Sequence, residues 1–129
     1  MQEEMYTRWQ PHRKLNSQPI VERIFDDDTG LNVLLKLVDE RESQLLLRFE
    51  SSVAYRNINE SYRLRTWNRI NSERWDGGCY ILENSKFVAW LKKEAGGILD
   101  DISLIHYCIF TDEDCIDVVT EFQPVVEIQ

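Results

Sequence analysis

The side chains best suited to chemistry lie close together, in His106-Tyr107-Cys108 and then Cys115. With Cys79 as a fourth donor they raise the question of zinc, which imidazole and thiolate commonly ligate. The spacing argues against it. The pattern is H-x-C, then six residues before the next Cys, with no C-x2-C pair. Structural zinc sites pair their ligands at short, regular intervals, so neither a metal nor a cofactor is expected. A thiol hydrolase would need a Cys activated by a His, and a third group to orient the base. On a strand, His106 and Cys108 share a face with Leu104 and Phe110. No motif marks an Asn or Asp partner, and the other histidine, His12, lies in an irregular stretch. Buried thiols and a hydrogen-bonded histidine are therefore expected, and no catalytic residues. Three cysteines, an odd number at irregular spacing, read as reduced thiols and not as a disulfide framework.

Carboxylates are the second chemical resource. Asp26-Asp27-Asp28-Thr29-Gly30 and Asp112-Glu113-Asp114 are both too short for the alternating oxygen ligands of a calcium loop. A glycosidase needs two acids held across a cleft, and nothing selects such a pair from the twenty-three acids present. What stands out is their distribution. All fifteen Lys and Arg lie at or before Lys93, whereas residues 96–129 hold Asp100, Asp101, Asp112, Glu113, Asp114, Asp117, Glu121 and Glu127. Charges before residue 96 cancel, so the formal net charge of −8 belongs to the C-terminal segment. Such a protein is repelled by nucleic-acid phosphates and anionic lipid. Neither nucleic acid nor membrane is expected as a partner, and a basic protein is. The expected docking residues are Asp100, Asp101, Asp112, Glu113, Asp114 and Asp117. Trp67, Trp75, Tyr62 and Tyr80 could supply the aromatic anchors that commonly dominate interface energy, with Trp67 and Trp75 the expected pair. A competing use of the acids is also visible: Arg56, Arg63, Arg65, Arg69 and Arg74 could neutralise them internally and shrink the acidic surface.

The elements that would position these residues follow from periodicity. Ile102–Phe122 reads as a hairpin: two β-rich runs around the polar TDED turn, with Leu104, Ile105, Ile109, Ile116, Val118 and Phe122 as core. Pro19–Phe25, Leu31–Val38, Gln44–Glu50 and Val53–Ile58 read as strands, the second and third as a hairpin, with turn chemistry at residues 26–30. Ser61–Trp67 also alternates and reads as extended, a helix through Tyr62–Ile70 being the other option. Cys79–Leu82 suggests a brief strand. Ser85–Ala95 is the clearest helix: Asn84 or Ser85 can cap it, Phe87, Trp90 and Leu91 form an apolar stripe, and Gly96-Gly97 follow. Trp90 is read as core. Pro124 is expected to limit pairing in the tail. The fold class is thus α+β, a mostly antiparallel sheet of about five to six strands with one main helix on a face. Residues 1–18 read as an irregular lead-in and 19–129 as a single domain, a usual size for one core. No apolar run approaches the roughly 20 residues of a membrane span, and the polar N-terminus lacks a signal-like apolar region. The expected location is cytoplasmic.

Three segments carry a resemblance: RFESSVAYRNINES, ENSKFVAWLKKEAGG and LIHYCIFTDEDCIDVV, closing on a Pro. Their order over residues 45–126 resembles small bacterial proteins, some encoded beside polymorphic or contact-dependent toxins as immunity proteins. The resemblance implies no catalytic residues. It implies a cytosolic protein that binds one cognate toxin and blocks its active site or substrate groove, and an acidic surface suits the basic groove of a nuclease. Two other classes remain open on the residues alone. A pocket lined by His106, a carboxylate and Tyr107 would favour an enzyme. A symmetric exposed apolar patch would favour an oligomeric accessory protein.

Overall fold

The computed structural model describes residues 2–15, 19–37, 43–72 and 78–129, residues 71 and 72 by their backbone alone. The elements run β1 (Met5–Arg8), β2 (Ile20–Asp27), β3 (Gly30–Lys36), β4 (Gln44–Phe49), β5 (Ser52–Asn59), a 3-10 turn (Glu60–Tyr62), α1 (Leu64–Ser72), β6 (Gly78–Glu83), α2 (Lys86–Glu94), β7 (Ile105–Phe110), β8 (Asp114–Thr120) and β9 (Val125–Ile128). All strand pairs are antiparallel. One sheet has the order β1-β6-β7-β8-β5 and the other β2-β3-β4-β9. The antiparallel α+β expectation holds. The expected single sheet of five to six strands and one main helix gives way to nine strands in two sheets and two helices among the described residues.

Side-chain alternation explains the layering. Leu31, Val33 and Leu35 of β3 and Leu45, Leu47 and Phe49 of β4 form one inner face. They pack against Cys79, Tyr107, Ile109, Ile116 and Val118 of the five-stranded sheet, completing a sandwich. The alternate residues Tyr80, Leu82, Cys108, Phe110 and Cys115 point the other way and are covered by Tyr6 of β1 and by Trp67 and Ile70 of α1. The centre of the five-stranded sheet is thus buried on both faces, and nearly every residue of β7 and β8 is inaccessible. No helix among the described residues is long and apolar enough to cross a membrane.

Several expectations need correcting. The stretch read as an irregular lead-in contains β1, which pairs with β6, and Trp9 just beyond it packs on the core. Ser61–Trp67 is not extended. Its alternating Tyr62 and Leu64 face solvent, 82% and 66% exposed, while Trp67 and Ile70, three apart, turn inward as helix spacing allows. The tail is not stopped by Pro124, because β9 begins at the next residue and pairs with β4. On α2, Ser85 is the N-cap and accepts the Val88 N–H at 3.0 Å, and Gly96 and Gly97 take positive φ. The apolar stripe, however, is covered only in part: Trp90 is 55% exposed, whereas Phe87 and Leu91 are half-buried and Phe87 meets the His106 ring edge-on. Phe122, beyond the end of β8, is likewise exposed.

Candidate functional site

Asp117 sits in the middle of β8, opposite Cys108 of β7 and Arg56 of β5. Strand alternation points it toward the helix-covered face, where it is 1% exposed. A lone buried carboxylate would be very costly, and this one is fully paired. Its Oδ2 accepts from Arg56 Nε at 2.9 Å and from Arg63 Nη1 at 2.8 Å. Its Oδ1 accepts from His106 Nε2 at 2.7 Å, with the Cys108 thiol at 3.5 Å. On the far side of the imidazole, Nδ1 lies 2.6 Å from Ser85 Oγ. Val88 N–H donates to Ser85 Oγ, and Nε2–H donates to the Asp117 carboxylate. The Ser85 hydroxyl can donate to a bare Nδ1 or accept from a protonated one, so the chain is satisfied with either.

The electrostatics follow from this geometry. Burial alone would raise the Asp117 pKa, but the His106 hydrogen bond and charge and then the Arg63 and Arg56 charges hold it well below the usual carboxylate range. Cys108 is driven the other way, first by burial and then by the charge of Asp117 and its hydrogen bond to it. Cys115 is pushed up to about 11 and Cys79 to about 12, burial leading in both. These are protonated structural thiols, poor nucleophiles.

Ser–His–Asp is the order of groups that activates a serine in hydrolases, here with the two ring nitrogens interchanged. Ser85 and His106 line a cavity of about 730 Å³, walled by Leu82, Val88 and Leu104. Ser85 Oγ also caps α2, and Asp117 also pairs with two guanidinium groups. His106, Cys108 and Asp117 also place donor atoms within 4.8 Å of one another. This differs from the four-ligand set considered above: Cys79 faces the sandwich core and Cys108 and Cys115 the helix side. A divalent ion would have to compete with the two guanidinium groups already on the carboxylate.

The residues expected to dock a partner are dispersed. Asp100 and Asp101 are exposed in the turns between α2 and β7, and Asp112 and Glu113 are exposed between β7 and β8. The six residues of β7 separate these pairs by about 20 Å. Asp114 accepts from Asn57 Nδ2 at 2.9 Å. Asp117 is inside. Trp67 packs on Phe110 in the core, its indole N–H beside the Cys115 thiol without a regular acceptor. Trp75 lies outside the described residues, as does Arg74. The internal use of the acids is realised in part. Arg56 and Arg63 neutralise Asp117, whereas Arg69 turns to Glu3 and the Glu4 carbonyl. Ser85 entered the sequence reading only as a cap. The signal for its second role was an Asp inside the apolar run CIDVV and a His inside LIHYCIF, which on adjacent strands call for each other. No protein-family model, curated protein or solved structure matches the chain.

Proposed function

We propose that the protein is a non-catalytic binding module for a basic protein, acting as an immunity-type inhibitor of a toxin. The observation that carries this reading is the junction between the acidic hairpin tip and a sheet edge that has no partner strand among the described residues. The eight-residue β5 ends the five-stranded sheet, and its last residue, Asn59, pairs with Asp114. Glu60 N–H donates to the Glu113 carbonyl at 3.1 Å, tying the tip to the 3-10 turn that presents Tyr62. Asp112 and Glu113 thus stand next to a large exposed aromatic, with Tyr55 and Val53, also exposed, further along the edge. An unpaired edge offers main-chain hydrogen bonds to a partner strand, the aromatic offers an anchor, and the acids offer steering toward a basic surface. Of the anchor candidates Tyr62 is the exposed one at this edge, so this reading uses Tyr62 in place of Trp67 and omits Asp100, Asp101 and Asp117. Co-expression with a toxin encoded by the neighbouring gene tests the reading: a complex is expected, and it should weaken as salt rises.

A second reading is favoured by one observation, the Ser85–His106–Asp117 chain opening on a cavity of about 730 Å³. A serine-reactive fluorophosphonate separates the two. A mass increase that disappears in Ser85→Ala would establish a hydrolase and sink the binding-only reading. An unlabelled chain is the result the binding reading expects.

A further inference from the structure

Beside the Asp117 network lies a second cavity, of about 480 Å³, whose character is opposite to that of the protein as a whole. It is lined by Arg56, Arg63 and Lys86 and by a single acidic residue, Glu4. Adding the buried Asp117 behind the arginines still leaves the site net cationic, in a chain of formal charge −8. Cations so concentrated need a counter-charge, and Asp117 supplies only part of it.

The donor count is specific. Arg56 gives Nε to Asp117, and Arg63 gives Nη1 to Asp117 and Nε to Thr66 Oγ1 at 3.2 Å. Both terminal nitrogens of Arg56 and Nη2 of Arg63 have no hydrogen-bond partner among the described residues. Asp117 also holds the two guanidinium groups in place, which lowers the entropic cost of presenting them to a ligand. Guanidinium donors fit the oxygens of carboxylate and phosphate. The site already holds one such group at its edge: the Glu4 carboxylate accepts the Lys86 backbone N–H, the first of α2, at 3.0 Å.

The remaining wall is aromatic. Phe87 and Trp90, one turn apart on α2, lie nearly parallel at 17° with centroids 6.1 Å apart. Arg56 stacks on Phe87, 4.3 Å from the ring centroid. Trp90 is 55% exposed although it belongs to the helix's apolar stripe, so a large flat surface is left open beside the cations. We infer that this cavity binds a small compound with a planar ring bearing a phosphate or carboxylate, the anion on Arg56 and Arg63 and the ring against Trp90. Tyr6, whose hydroxyl is kept protonated by burial, is available as a further donor. None of the acidic-tip residues lines this cavity, so the inference is independent of protein docking.

The test is titration of the full chain, followed by backbone amide NMR shifts of α2 and by calorimetry. The probes are adenosine monophosphate, benzoate, inorganic phosphate and neutral adenosine. The phosphate and carboxylate compounds are expected to shift Phe87–Leu91, inorganic phosphate more weakly and adenosine not at all. The two ring-bearing anions distinguish the phosphate from the carboxylate source. Arg56→Ala should weaken the preferred probe at least about tenfold. Trp90→Ala, at an exposed position outside the Asp117 network, should weaken the ring-bearing anions about as much and leave inorganic phosphate unchanged. Saturation by neither ring-bearing anion at roughly 10 mM, or binding unchanged in a folded Trp90→Ala, overturns the inference.

Discussion

The β7–β8 hairpin carries two acidic groups only a few residues apart, and they do opposite things. Asp112 and Glu113 stand in solvent at its tip, whereas Asp117 is sealed between two arginines and a histidine. Residue type is the same in both places, so the difference is one of register. From Cys115 to Thr120 the chain is a strand with both faces covered, and side chains there point into a buried layer. A charge in that layer must be answered on the spot. The tip lies outside the layer and its charges are answered by water. Formal charge read along a chain is therefore a poor map of surface charge: the acidity of the C-terminal segment is real, but its most buried member contributes nothing to the surface.

The largest expected effect comes from breaking the buried half. Asp117→Asn keeps the shape but leaves Arg63, 11% exposed at its side chain, without its counter-ion. Loss of one partner of a buried pair costs about 3–5 kcal/mol, measurable as a lower midpoint in urea unfolding. The pH dependence has a definite sign. The folded-state pKa of Asp117 is depressed, so its stabilisation is fully present above the unfolded value near 3.9 and fades as pH falls through the lower folded value. Wild type should therefore lose stability on acidification below about pH 4, and Asp117→Asn should flatten that limb.

The two arginines grade the comparison more finely. Arg63 is nearly enclosed, whereas the Arg56 side chain is 39% exposed. Arg63→Ala should cost about 2–4 kcal/mol and Arg56→Ala nearer 1 kcal/mol, because solvent screens the more open pair. Equal costs would mean that burial does not decide the strength of these ion pairs. Ser85→Ala removes the cap of α2 and the hydroxyl facing His106 Nδ1. About 1–2 kcal/mol is expected in the same unfolding experiment.

How much of this was legible follows the same division. The β7–β8 and β3–β4 hairpins and the capped α2 could be read because each is local: an alternation, a turn, a cap, a terminal glycine pair. The pairing of β9 with β4 and of β1 with β6 joins segments distant in the chain, and nothing in either segment names its partner. Residues 61–67 carried two periods at once, and only the sheet face awaiting cover made Trp67 and Ile70 the decisive pair. At the site, the arginines were visible as an internal counter-charge but not which acid they would find. That needed the β5–β8 register, which sets Arg56 opposite Asp117. Ser85 was legible as a cap and not as a partner of His106, because a cap is local and their contact spans 21 positions.

The smallest expected effect on stability is the most telling for function. Replacing the tip acids together, Asp112→Asn, Glu113→Gln and Asp114→Asn, removes three charges from a turn whose backbone is held by other groups. Thr111 Oγ1 accepts the Glu113 and Asp114 N–H, and Thr111 N–H donates to the Asp114 carbonyl at 2.8 Å. Among the described residues only the side-chain contact between Asp114 and Asn57 is touched, and it is exposed. Unfolding should shift by about 0.5 kcal/mol or less. Partner association should nonetheless slow markedly at low salt and converge with wild type at high salt, since steering acts on the on-rate and is screened. The same on-rate in the triple variant at low salt would remove the tip from the interface and leave the open β5 edge and Tyr62 to carry recognition unaided.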